Sequence, residues 1–163
     1  MKSINFERIV SDWAVRWFQI SVALVWILAA AAKLSSITGD PRTMLARDAV
    51  LGIRNVYLFV AVAQLETIGA CYLFFANNMS KKLIICTLGS ALLLAYRIVL
   101  GFIDPVAPCN CLGSALAGIG LTAVASDRLS FAAVVYASIG CGACWLIRAY
   151  AHRPATGLQA QHS

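Results

Sequence analysis

Three apolar runs, Trp17–Leu34, Val56–Ala76 and Leu83–Ile103, each approach the roughly 20 residues that a helix needs to cross about 30 Å of hydrocarbon. A fourth runs from Leu129 to Ile147. Helices of this kind satisfy their own backbone hydrogen bonds, which lipid cannot do for them. Composition supports the same reading. The chain is 61% hydrophobic and only 12% charged, against roughly 45–50% and about 25% in an ordinary soluble domain. A soluble fold could not hide that much apolar surface. The 163 residues suit one unit. The expected fold is all-α, a polytopic transmembrane four-helix bundle occupying residues 1–163 as a single membrane domain.

Between the third and fourth runs lies Leu112–Ser126, rich in Gly, Ala and Ser. It is short for a spanning helix and reads as a re-entrant or interfacial piece. The count is four spans, or five if this segment crosses. The polar tail Pro154–Ser163 is expected to lack order.

The first span has basic residues before it and small residues at Ala29–Ala32, as a cleaved signal peptide would. The long leading stretch with Glu7 and Asp12, and the further spans that follow, favour a retained helix instead. Loop charges then set orientation, because Lys and Arg accumulate on the cytoplasmic side. Lys2, Arg8, Arg16, Lys81, Lys82, Arg148 and Arg153 fall on one side, and Arg42, Arg47, Arg54 and Arg128 on the other. Both termini are expected in the cytoplasm, and the segment after the third span is expected to face outward whether the total is four or five. The implied location is a bacterial-type inner (plasma) membrane. The net charge of +6 is scattered along loops and termini rather than gathered into a patch, so it reads as topology and implies no nucleic-acid partner.

The segment Pro108-Cys109-Asn110-Cys111-Leu112-Gly113 carries the strongest chemical signal. In an oxidising compartment, exposed thiols form or exchange disulfides. A bridge between cysteines one residue apart closes a small ring and is strained, and strained exposed bridges are the exchangeable ones. Cys109 and Cys111 are therefore candidate catalytic residues for thiol–disulfide exchange. The alternatives are a structural bridge, two independent thiols, or a Cu(I) or zinc site, for which no further ligands are clustered nearby.

Cys71 and Cys86 stand singly inside spans and read as small apolar side chains. Cys141-Gly142-Ala143-Cys144 has redox-motif spacing but lies within the fourth span, past its middle and away from the outward face. It is a candidate second redox pair, the competing reading being close helix packing through Ser138, Gly140, Gly142 and Ala143. Lys33, Glu66 and Arg97 are ionisable groups inside spans, where charge needs a partner or a cavity. Glu66 is expected to pair with Lys33 or Arg97, with Gln64 adding hydrogen bonds, as a polar cluster beneath the cysteine segment. A cation there would also favour the thiolate that attacks disulfides.

Taken in order, these elements resemble the MauE/DoxX family of redox-associated membrane proteins, and more closely its MauE-like, methylamine-utilisation branch. The resemblance covers about Trp17 to Ile147. It rests on a first span closing at Ala32-Lys33-Leu34, a loop with Asp40-Pro41, a second span with Glu66 and then Gly69, and the cysteine hexapeptide. The family usually has Gly between the cysteines and Phe before the final Gly, where this chain has Asn110 and Leu112. The resemblance implies a four-helix membrane protein that works with a thioredoxin-like periplasmic partner in disulfide formation, as in maturation of methylamine dehydrogenase. A quinone bound between helices is a candidate electron acceptor. A non-catalytic membrane scaffold for a redox partner and a small-solute transporter remain open as other classes.

Overall fold

The computed structural model describes residues 3–39, 44–103 and 122–151. Among them are four helices: α1 (Ser3–Gly39), α2 (Asn55–Phe75), α3 (Met79–Ile103) and α4 (Ala123–Ala151). Each is long and apolar enough to cross a membrane. The protein is a multi-pass membrane protein built as a four-helix bundle. Leu28, Ile68, Leu92 and Ile139 point outward, one from each helix. Exposed side chains of this kind suit lipid, which solvates leucine as well as a protein core does.

The helix ends follow from local chemistry. α1 stops at Gly39, just before Asp40-Pro41, where proline cannot donate the next helical hydrogen bond. α2 closes with the Ala76 N–H donating to the Tyr72 carbonyl at 3.0 Å. Asn78 then starts α3: its Oδ1 accepts the Lys81 N–H at 3.2 Å, the bond expected of an N-cap. The helix therefore begins at Met79, one turn earlier than the apolar run at Leu83. Thr122 does the same for α4, its Oγ1 accepting the Ala125 N–H at 3.3 Å. That start places Ala123–Ser126, expected to belong to the short separate segment, inside the last helix. Residues 112–121 of that segment, and the tail 154–163, lie outside the described residues.

Successive helices alternate in direction. α2 packs most extensively against α1 and α4 against α3, with α4 also touching α1. Two aromatic side chains of α1 form the seams. The Trp26 indole lies between Gly69 of α2 and Gly89 of α3, and a Cβ at either glycine would come within 2.6 Å of the ring. Phe18 fills the corresponding gap at Gly140 of α4. Each glycine lets a bulky ring replace a side chain, drawing three helices onto α1. Of the small residues expected to pack in α4, Gly140 does so, whereas Gly142 and Ala143 are exposed. A cluster around Val22, Ala23, Trp26, Ala70, Leu73 and Cys86 fills the interior between these seams.

Candidate functional site

Polar side chains gather toward the end of the bundle that carries the α1–α2 and α3–α4 connections. Lys33 of α1 sits two turns before the end of its helix, and its ammonium donates to both oxygens of Glu66 on α2, at 2.7 and 2.8 Å. The two side chains are 6% exposed each, so water contributes little to their solvation. Paired and hydrogen-bonded in this way, two opposite charges can occupy the apolar interior that neither could occupy alone. Of the two cations expected to meet Glu66, Lys33 is the partner.

Arg97 is engaged elsewhere. Its Nη1 donates to Asp127 Oδ1 on α4 at 2.5 Å, and its Nη2 reaches the Asp127 carbonyl at 3.4 Å. The expected three-residue cluster is thus two ion pairs on two helix pairs, α1–α2 and α3–α4. Asp127 precedes the fourth apolar run in the sequence and is not among the residues singled out there. Helical capping at Thr122 brings it inside the helix, where it can face Arg97. Gln64 points out of the bundle and adds nothing to either pair.

A third polar tie closes this end. Asp48 lies in the α1–α2 connection, 8% exposed. Its Oδ1 accepts the N–H groups of Val50 and Leu51, at 3.0 and 2.8 Å, while its Oδ2 accepts the Tyr96 hydroxyl of α3 at 2.5 Å. The turn closes through the Gly52 N–H to the Asp48 carbonyl, and Gly52 has φ +67°, a backbone region that glycine enters without strain. Sequence reasoning missed Asp48 and Tyr96. The available signal was Asp48 three residues before Leu51-Gly52, at the start of a turn, a position where an aspartate commonly bonds its own backbone.

Arg97 lies six residues before Ile103, about 9 Å along α3, and Asp127 five residues after Thr122. The polar layer therefore sits below the attachment points of the chain that carries Cys109 and Cys111. Both cysteines, with Pro108, Asn110, Leu112 and Gly113, fall outside the described residues.

At the opposite end of the bundle three other cysteines approach one another. Cys141 of α4 and Cys86 of α3 hold their sulfurs 3.1 Å apart, and the residues are 1% and 0% exposed. Cys144, one turn further along α4, is 5% exposed and packs with Val15 and Leu83. Cys86 is thus not a solitary apolar side chain: its nearest chemical partner is 55 positions away in the sequence. Cys141 turns toward Cys86 across the helix interface. Cys71 behaves as expected of a single thiol in a span and is exposed on the outside of α2.

Comparison of the chain with protein-family models, with curated proteins and with solved structures finds no match.

Proposed function

We propose that this chain is an integral membrane thiol redox protein of the MauE-like kind, in which Cys109 and Cys111 exchange disulfides with a thioredoxin-like protein on the outer face of a bacterial-type plasma membrane. The observation that carries the reading is the Cys-Asn-Cys pair in the connection between two spanning helices, whose ends on that side carry a layer of charge pairs. The distribution of loop charge favours that connection outside and both termini in the cytoplasm. One cysteine attacks a partner's disulfide sulfur as thiolate, giving a mixed disulfide, and the other resolves it. The two electrons pass between partner and pair with one S–S bond broken and one formed. The direction follows from the relative potentials of the two couples. Methylamine dehydrogenase maturation is the client process that the family resemblance suggests.

The ion pairs support this reading over solute transport. Lys33, Glu66 and Arg97 are each bonded to a side chain of an adjacent helix, which ties helices together and leaves their charges committed. In this scheme they form the rigid floor on which the cysteine segment is mounted.

The test uses the protein reconstituted in lipid vesicles with a purified thioredoxin-like periplasmic protein, comparing the native chain with Cys109→Ser, Cys111→Ser and the double variant. Exchange predicts that the double variant loses turnover of the partner's disulfide while still binding it, and that one single variant accumulates the mixed disulfide. Undiminished turnover in the double variant would refute catalysis by this pair. Unchanged client oxidation with normal binding would assign the protein to the scaffold class.

A further inference from the structure

The bundle end farthest from the proposed exchange site contains a second arrangement that can do thiol chemistry. Cys86 and Cys141 come from different helices, touch at 3.1 Å and are sealed from water. Their sulfurs must move about 1 Å to reach the roughly 2.05 Å of a disulfide. The spacing disfavours a metal: two thiolates at about 2.3 Å from a tetrahedral zinc would stand about 3.8 Å apart. Sequence spacing alone pairs Cys141 with Cys144, but the geometry does not. On a continuous helix, residues three apart keep their Cβ atoms roughly 5–6 Å apart, beyond the roughly 3.5–4.5 Å of a relaxed bridge.

Polar groups stand beside the pair. Ser90, one turn beyond Cys86 on the same face of α3, is 1% exposed, and its hydroxyl stands beside both thiols. Thr87, next to Cys86, accepts the Trp145 indole N–H at 3.2 Å from α4, and that indole is half exposed at the lipid-facing side. A buried hydroxyl and a lipid-facing indole–hydroxyl bond thus flank two contacting thiols. Cys86 lies about 10 Å along α3 from Met79, and Cys141 about 15 Å from the end of α4. A charged aqueous oxidant has no route to them. Both sulfurs are as closed to lipid as to water, so a neutral oxidant dissolved in the bilayer reaches them only where α3 and α4 part.

We propose that Cys86 and Cys141 are an intramembrane dithiol that closes to an α3–α4 disulfide by reducing a lipid-soluble quinone. Two S–H bonds break and one S–S bond forms. The two electrons and two protons leave with the quinone, which becomes the quinol. The Trp145–Thr87 hydrogen bond marks the lipid-facing edge of the pair. The pair lies about 25 Å along α3 from Ile103, too far for direct exchange with Cys109 or Cys111, so the inference does not rest on the function proposed above.

The experiment uses the full chain in lipid nanodiscs, with Cys109→Ser and Cys111→Ser introduced so that the loop pair is silent whatever its role. The protein is reduced, separated from reductant, and exposed to a short-chain ubiquinone analogue or to oxidised glutathione. It is then denatured in a thiol alkylator and digested for mass spectrometry. The quinone should yield the Cys86 and Cys141 peptides joined, two hydrogens lighter than the separate peptides, with Cys144 alkylated and one quinol per bridge. Oxidised glutathione should leave all three alkylated. Cys86→Ala should abolish quinol formation and Cys144→Ala should preserve it. Full alkylation of Cys86 and Cys141 after quinone, a bridge from Cys141 to Cys144, or equal bridging by glutathione would each overturn the proposal.

Discussion

Removing one member of the Lys33–Glu66 pair should cost far more than removing both. Lys33→Met leaves the Glu66 carboxylate with no cation, at a position 6% exposed. Breaking a buried pair in this way costs about 3–5 kcal/mol, because the surviving charge is uncompensated. Neutralisation sets a ceiling. Protonating an ordinary carboxylate at pH 7 costs about 3.7 kcal/mol and deprotonating an ordinary ammonium about 4.6 kcal/mol, at about 1.36 kcal/mol per pH unit from reference values near 4.3 and 10.4. Glu66→Met should therefore be the worse single change by about 1 kcal/mol. The Lys33→Met/Glu66→Met double variant removes both charges and fills the space with flexible apolar chains, so it should lie within about 1 kcal/mol of the native protein. Thermal unfolding in detergent micelles, followed by circular dichroism, should show the single variants lowered on the order of 10 °C and the double variant near native. Additive losses in the double variant, or single losses below about 1 kcal/mol, would refute the argument that each charge is held in the interior by the other.

Gly69→Ala and Gly89→Ala each place a methyl group 2.6 Å from the Trp26 ring and should destabilise by about 1–3 kcal/mol, while Gly101→Ala, which meets nothing, should be neutral or slightly stabilising in the same unfolding assay. Arg97→Lys keeps the charge but cannot span both the carboxylate and the carbonyl of Asp127, and should lose about 1 kcal/mol of α3–α4 stability. Because Asp127 is 34% exposed, Arg97→Met should cost less than Lys33→Met. Tyr96→Phe removes the hydroxyl that bonds Asp48 and should cost about 1.5–3 kcal/mol, read as faster proteolysis within residues 44–54; unchanged cleavage would show that the tie does not hold the connection.

The spans were legible because run length in lipid is a one-dimensional property. Asn55–Phe75 and the Ile103 end of α3 fall within a residue of the apolar runs. The starts of α3 and α4 were less so, because Lys81, Lys82, Asp127 and Arg128 interrupt the apolar pattern while caps at Asn78 and Thr122 begin the helix before them. The Lys33–Glu66 pair could be anticipated from matching depths and the cost of lone charge. Arg97 could not be assigned its partner, since nothing about Asp127 in the sequence reveals which face of a helix it will share. Cys86 and Cys141 show the same limit. Their depths match across antiparallel spans, a usable signal, but the Cys-x-x-Cys spacing directed attention to Cys144, a neighbour in sequence that the helix keeps at a distance.

The decisive measurement for the proposed function is the redox state of Cys109 and Cys111 in native membranes, trapped by acid quench and counted by alkylation and mass spectrometry, with and without a thioredoxin-like partner. Exchange chemistry predicts a partner-dependent shift between dithiol and disulfide and a trapped mixed disulfide. A pair that stays fully oxidised or fully reduced under both conditions would contradict it.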